Sequence, residues 1–197
     1  MKHVKMLGLL VMAAASLMAF ASSASANPIL TKSAGVAATE IHATLEKGTS
    51  AVLEAGIKDT CTVSTVKGPI TTNNTEHAAG AITTLTFGEA GTVCTQDTTV
   101  IAAGSLTVKE NANGTGTVYS EGSDVEVKVT SLGIVCHYGA GTGKIDIGTL
   151  TFGTPATMDI NAPELPRLEP SNKTFCAATG KWTGSYVVTT PGTLLLT

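Results

Sequence analysis

Residues 124–130 read Asp124-Val-Glu-Val-Lys-Val-Thr130, and this stretch decides the fold class. Its three valines recur at every second position and are separated by charged side chains. Because successive side chains of a strand point to opposite faces, this alternation predicts an antiparallel strand with one buried face and one solvated face. The segment Lys144-Ile-Asp-Ile147 shows the same alternation.

Turn signals and composition extend this prediction to the rest of the chain. Residues 105–110 and 115–120 flank Asn111-Ala-Asn-Gly114, whose Asn-Gly pair is a strong hairpin signal. Residues 27–197 contain 33 threonines and 20 glycines, and threonine favours strands over helices. Turn signals recur every 8–12 residues, as in sandwich folds. We therefore predict an all-β fold with little helix, an antiparallel β-sandwich of jelly-roll or immunoglobulin-like type.

Two further segments carry predictions near the C-terminus. Trp182, Tyr186 and Val188 occupy alternate positions, which predicts that they share one face of a late strand. Residues 161–173 contain three prolines, which lack the N–H that a central strand needs, so we predict a long loop there. Such a loop is a candidate binding segment, and a plain solvated connection is the alternative.

Residues 1–26 have the pattern of a secretory signal peptide. Lys2 and Lys5 precede the uncharged apolar run from Leu7 to Phe20, and Ala24-Ser-Ala26 ends it with small residues, which predicts cleavage after Ala26. The run is shorter than the roughly 20 residues that span a bilayer. Since no second long apolar run follows, we expect no transmembrane segment after cleavage. We expect residues 27–197 to form a single sandwich domain.

The cysteine count predicts a covalent framework. An even number of cysteines in an exported chain favours disulfides, here two bonds among Cys61, Cys94, Cys136 and Cys176. A metal site would need closely spaced pairs, and the nearest spacing here is 33 residues. Four cysteines allow three connectivities.

A faint internal repeat favours one of these connectivities. Ile82-Thr-Thr-Leu-Thr-Phe-Gly88 is echoed by Ile147-Gly-Thr-Leu-Thr-Phe-Gly153, and each copy lies between two cysteines. The echo suggests two related halves, about 40–110 and 115–197, each closed by its own bond: Cys61–Cys94 and Cys136–Cys176. Chance recurrence in a Thr/Gly-rich chain is the alternative.

Catalytic and metal-binding signatures are weak. His42, His77 and His137 are far apart and lie in no zinc-binding motif, and the chain lacks a G-x-S-x-G nucleophile motif. We therefore predict no catalytic residue, no metal site and no cofactor. The formal net charge of −3 predicts no nucleic-acid partner.

Carboxylates provide the one enzymatic alternative. A hydrolase would need two acidic groups across a cleft, and the candidates are the four acids of the 146–169 region: Asp146, Asp159, Glu164 and Glu169.

Several short segments resemble a group of proteins with no characterised activity. These are Val4-Lys-Met-Leu-Gly-Leu9, Asp59-Thr-Cys61-Thr-Val-Ser64, Leu85-Thr-Phe87, Leu106-Thr-Val108 and Lys181-Trp-Thr-Gly-Ser-Tyr186. Together they resemble secreted, Thr/Gly-rich, four-cysteine proteins of soil actinobacteria. The resemblance implies export, a β-rich fold and paired cysteines, and it assigns no catalytic residue.

From these observations we expect a secreted, non-catalytic protein, extracellular or associated with the cell surface, that acts by binding or assembly. The partner is unknown; self-association through a sheet edge or attachment to a surface polymer is possible. The alternatives are the carboxylate-dependent hydrolase and a carrier of a small apolar ligand, which would need an apolar cavity in place of a filled core.

Overall fold

The computed structural model describes residues 28–88 and 94–197. Within these ranges the chain is built almost entirely from strands, with no α-helix and a single 3-10 turn at Thr130–Leu132. The predicted all-β, antiparallel fold is confirmed. The predicted signal peptide lies outside the described residues.

The strands of the described residues have the following bounds in chain order. They are β1 (Leu30–Ser33), β2 (Val36–Ala37), β3 (Glu40–Leu45), β4 (Ala51–Glu54), β5 (Lys58–Cys61), β6 (Ser64–Pro69), β7 (Thr72–Asn73), β8 (Ala78–Ala81), β9 (Thr84–Phe87), β10 (Asp97–Ala102), β11 (Ser105–Glu110), β12 (Thr115–Glu121), β13 (Asp124–Val129), β14 (Ile134–Tyr138), β15 (Lys144–Thr151), β16 (Thr157–Leu168), β17 (Thr179–Thr190) and β18 (Leu195–Leu196).

The central feature is a sheet that closes on itself. Antiparallel pairing runs from β8 through β11, β12, β15, β16, β17 and β3 to β6. The ends of this path meet, because β6–β7 and β8–β9 form one long hairpin in a single register, with Lys67 opposite Thr84 and Thr72 opposite Ala79. We call this the closed sheet. The two facing layers of the predicted sandwich are therefore opposite walls of one continuous sheet.

Glycines allow the two strands of that hairpin to approach closely. A Cβ added at Gly80 would lie 1.8 Å from the carbonyl oxygen of Pro69, and one added at Gly68 would lie 2.2 Å from that of Ala81. Real Cβ atoms do not come this close to backbone, so only glycine fits these two positions.

The two longest strands extend beyond the closed sheet. β17 pairs with β3 at 186–190 and with β4 at 181–183. β16 pairs with β15 at 157–160 and with β14 at 167–168. At the same end, β16 and β17 thus carry a side hairpin (β4–β5) and a side sheet (β10, β13 and β14).

The prediction of a loop over residues 161–173 was wrong in its first half. β16 continues through Leu168, with Pro166 opposite Thr179. The register shifts between Ala162 and Leu165, so Pro163 lies in an irregularity where no ladder N–H is needed. Pro166 contributes its carbonyl oxygen, which accepts a hydrogen bond from the N–H of Gly139.

The hairpin and face predictions are confirmed. β11 pairs with β12 from Ser105–Glu121 to Glu110–Gly116, across the predicted Asn-Gly turn. Tyr186 and Val188 are fully buried inside the closed sheet, and Trp182 packs against the same core. A small end sheet of β1, β2 and β18 covers one end of the closed sheet, with Leu30 buried in the core.

Two disulfides link the described residues in the predicted connectivity, Cys61–Cys94 and Cys136–Cys176. The first joins the side hairpin to the segment that leads into β10. The second joins β14 to the loop before β17, and both of its cysteines are buried. Each bond therefore connects two segments that no ladder hydrogen bonds join, at the end of the molecule that carries the side hairpin and the side sheet.

Tyr186 makes the free energy of unfolding depend on pH in the alkaline range. Its side chain is fully buried and donates a hydrogen bond to Ser64 Oγ at 2.9 Å. Burial raises the pKa of Tyr186 to about 12, although the Ser64 hydrogen bond opposes the shift. Because the pKa is higher in the native state, the unfolded chain loses this proton first as the pH rises. The stability that the protonated phenol contributes is therefore fully present below pH 10 and is lost between pH 10 and pH 12.

We expect the wild type to lose about 1.4 kcal/mol more stability than Tyr186→Phe between pH 9 and pH 11, since one pH unit corresponds to about 1.4 kcal/mol. Urea unfolding at several pH values measures this difference. Between pH 7 and pH 9 the two curves should run parallel, because the variant then lacks only a hydrogen bond. Equal losses in both proteins at pH 11 would contradict the assignment.

Candidate functional site

An apolar cavity lies where the closed sheet, the side hairpin and the side sheet meet. Its volume is about 60 Å³, and it is partly open to solvent. We call it the first cavity. Most of its lining side chains are aliphatic or aromatic, and those that the closed sheet contributes are Val66, Ile82, Leu85, Phe87, Leu106, Ile147, Met158, Ile160, Leu165 and Trp182.

The half-buried side chain of Trp182 forms an aromatic part of the wall of the first cavity. Its ring meets Phe87 edge-on, with ring centroids 5.9 Å apart and an interplanar angle of 72°. This geometry is the favoured one for aromatic pairs. Since the chain has one tryptophan, its fluorescence reports on this cavity alone.

The one carboxylate in this lining belongs to Asp59, which is 3% exposed. Its Oδ1 accepts hydrogen bonds from Thr95 Oγ1 at 3.1 Å and from the N–H of Gln96 at 2.9 Å. Its Oδ2 accepts one from Thr98 Oγ1 at 2.5 Å. These donors satisfy the carboxylate, which is the condition for keeping a charge out of water.

Asp59 also links the side hairpin to the side sheet. It lies on β5, and its three donors lie at or before the start of β10, so it connects the side hairpin to the side sheet without a strand ladder. The hydrogen bond from the N–H of Thr95 to Thr60 O, at 3.0 Å, supports the same junction. The Cys61–Cys94 bond adds a covalent link beside it.

The other polar groups of the first cavity are also paired. Ser120 Oγ donates to Ser123 Oγ at 3.0 Å, and Tyr138 donates to the carbonyl oxygen of Ala177 at 2.9 Å. Burial raises the pKa of Tyr138, and the positive charge of Arg167 opposes this shift, so the phenol stays protonated at neutral pH. Among the described residues, no buried side-chain nitrogen or oxygen lacks a partner. The cavity therefore offers mainly apolar contact.

A second cavity of about 60 Å³ lies next to the first, nearer the end sheet. Its lining includes Leu30 of the end sheet, together with Ala43, Ala78 and Val118 of the closed sheet. The two cavities share four apolar lining residues: Val66, Ile82, Leu106 and Met158. The two cavities therefore adjoin.

The four acids of the hydrolase alternative lie on the outer surface. Asp146, Asp159, Glu164 and Glu169 are exposed, and none of them lines either cavity. Asp159 accepts a hydrogen bond from Ser185 Oγ at 2.8 Å. The Lys173 ammonium, 2.7 Å from the carboxylate of Glu169, holds the pKa of Glu169 below its usual value. The structure does not bring these acids together across a cleft.

His137 is a buried, fully partnered histidine. Its Nδ1 lies 3.0 Å from Asp124 Oδ1 and its Nε2 lies 3.3 Å from Glu126 Oε2, so the ring joins two carboxylates of β13. Ser171 Oγ accepts from the backbone N–H of His137 and does not contact its ring, so the pair is not a Ser–His nucleophile.

One cluster of potential metal ligands occurs in the described part of the chain, formed by Asp59, Cys61 and Cys94. Both sulfurs are consumed in a disulfide. A disulfide sulfur has no thiolate charge to offer a metal, so this cluster is not a metal centre.

Sequence reasoning missed Asp59, although a signal was available. Asp59 and Cys61 are two residues apart on one strand and therefore share a face. Since Cys61 is buried, the same parity places Asp59 inward, where a carboxylate needs several donors. The cavity itself had no such local signal.

Over the ranges that the structure describes, no helix is long and apolar enough to cross a membrane. Comparisons with protein-family models, with curated proteins and with solved structures found no match.

Proposed function

We propose that this protein is a non-catalytic binding protein that holds a small apolar molecule in the first cavity. The observation that carries the proposal is the lining: aliphatic and aromatic side chains surround the space, and its polar groups are already paired within the protein. Concave sites lined mostly by apolar side chains are the usual form of small-molecule sites. Of the functions considered from the sequence, the apolar carrier is the one that needs such a cavity.

The disulfides support a site of action outside the cytoplasm. Such bonds persist in oxidising compartments and are rare in reducing ones, and this chain has two of them. The signal-peptide pattern of residues 1–26 points the same way. We therefore propose an exported carrier that takes up or delivers its ligand at or beyond the cell surface.

Titration with N-phenyl-1-naphthylamine, an uncharged apolar fluorophore, tests binding. We expect its fluorescence to rise on binding and the emission of Trp182 to fall, because the ligand contacts the indole. Trp182→Phe should abolish the protein signal while the probe signal remains. No change of either signal at micromolar protein would contradict the proposal.

Occupancy of the cavity is tested by filling it. Ala103 lines the first cavity and is half-buried, so Ala103→Phe places a ring in the ligand's space, and we expect at least tenfold weaker probe binding. The matched control is Ala102→Phe on the neighbouring residue, which is absent from both linings and should bind like the wild type. Equal weakening in both variants would place the probe elsewhere.

A further inference from the structure

We infer that Asp59 protects the Cys61–Cys94 bond from reduction by small thiols. The link between the side hairpin and the side sheet then persists where such thiols are present. The inference does not depend on the proposed function, because it rests on the position of the carboxylate beside the disulfide and not on what the first cavity holds.

The carboxylate of Asp59 lies directly beside the bond. Its Oδ2 is 3.6 Å from the Sγ of Cys61, and one of its oxygens lies within 4.8 Å of both sulfurs. All three hydrogen-bond donors to this carboxylate come from residues 95–98 and are uncharged. They hold the carboxylate in place without adding a positive charge.

Reduction of the bond would create negative charge at this position. It begins when a thiolate attacks one sulfur and expels the other as a thiolate. Attack on Cys94 leaves the charge on Cys61, and attack on Cys61 brings the charged reductant to the sulfur nearest Asp59. Each route therefore places a thiolate beside a carboxylate, and a like charge disfavours it.

The complete reaction consumes two small thiols. A second thiolate attacks the mixed disulfide, so the two small thiols are oxidised to one disulfide. The protein gains two electrons and two protons, and Cys61 and Cys94 become thiols. Both sulfurs lie within 4.8 Å of the carboxylate, so the repulsion applies to either cysteine as a thiolate.

The surroundings of the bond strengthen this repulsion. Among the described residues that line the first cavity, to which Asp59 and Cys61 both belong, none is basic. Asp59 and Cys61 are each 3% exposed, and Cys94 is 8% exposed. Solvent therefore screens the two negative charges only weakly.

The Cys136–Cys176 bond provides an internal reference in the same molecule. Its cysteines are 0% and 3% exposed, so burial alone would not make Cys61–Cys94 the more resistant of the two bonds. Among the described residues, no carboxylate oxygen lies within 4.8 Å of both sulfurs of Cys136–Cys176. A change at Asp59 should therefore alter the reduction of one bond and leave the other as it was.

The rate of reduction of each bond tests the inference. Folded protein is incubated with dithiothreitol at pH 8, the thiols formed are trapped with N-ethylmaleimide, and mass spectrometry of the peptides follows the two bonds separately. We expect Asp59→Asn to speed the reduction of Cys61–Cys94 by about tenfold or more, because it removes the charge and keeps the shape of the side chain. Cys136–Cys176 should be reduced at the wild-type rate.

Thr98→Val is the matched control, because it removes a hydrogen-bond donor from Asp59 and keeps the charge. We expect this variant to reduce at close to the wild-type rate at both bonds. Three results would overturn the inference: an unchanged rate in Asp59→Asn, an equal acceleration in Thr98→Val, or faster reduction of both bonds in Asp59→Asn. Each would assign the rate to something other than the charge of the carboxylate.

Two reductants of different charge test the same point in the wild type. Thioglycolate carries a carboxylate beside its thiolate, whereas cysteamine carries an ammonium group. Measured relative to Cys136–Cys176, the reduction of Cys61–Cys94 should be several-fold slower with thioglycolate than with cysteamine. The same ratio of the two rates with both reductants would contradict a repulsion by Asp59, and this measurement requires no variant to fold.

Discussion

Replacing Cys136 and Cys176 together by alanine should lower the free energy of unfolding by about 4 kcal/mol. The bond closes a loop of 40 residues, and the chain entropy that such a closure removes from the unfolded state corresponds to about that value. Urea denaturation of the variant and the wild type, both without reductant, measures the difference. Reduction of the wild type opens both disulfides, so its loss should exceed that of either double variant.

The second disulfide provides the matched control. Cys61–Cys94 closes a loop of 33 residues. The same chain-entropy relation gives about 3.7 kcal/mol, so the double alanine variant should lose nearly the same free energy of unfolding. A loss below about 1 kcal/mol for either pair would contradict an origin in the unfolded chain. It would mean that the hydrogen bonds around the bridge hold the loop without it.

Gly80→Ala should cost about 3 kcal/mol or prevent folding, because an added Cβ at this position would meet the carbonyl oxygen of Pro69 at 1.8 Å. Relief of that contact requires the β6–β7 and β8–β9 strands to move apart, which opens the seam where the closed sheet is completed. Thermal unfolding followed by circular dichroism at a β wavelength measures the loss.

Gly192→Ala is the control for Gly80→Ala. A Cβ at Gly192 would meet nothing within 4 Å, so we expect a change within about 0.5 kcal/mol. Wild-type stability of Gly80→Ala would show that the two strands do not touch at this point, and the closure of the sheet would have to be abandoned.

Local features of this chain were predictable because they depend on neighbours in sequence. The alternating residues of 124–130 form β13 as expected, and Asn111-Ala-Asn-Gly114 forms the turn between β11 and β12. The parity of Trp182, Tyr186 and Val188 turns all three towards one core, in which Tyr186 and Val188 are buried and against which Trp182 packs. The division into two related halves stays a prediction.

Proline was misinterpreted for a tertiary reason. The rule against proline in a central strand applies where both edges of the strand carry regular ladders. β16 leaves its partner β15 after Ile160 and takes β14 as a new partner at Arg167, so Pro163 and Pro166 lie in the interval between two ladders. No local sequence pattern predicts such a change of partner strand.

Most strands and turns and their buried faces could be predicted from the residues, because a two-residue period and short-range turn chemistry encode them, and the cysteine pairing was predicted from the internal repeat. The closure of the sheet was visible only in the folded chain. Closure requires β17 to pair with β3, about 140 residues earlier in the chain, and β8 to pair with β11 in a compatible register. Whether the enclosed side chains fill the interior or leave space depends on the circumference of that closed sheet, which is a property of all its strands together.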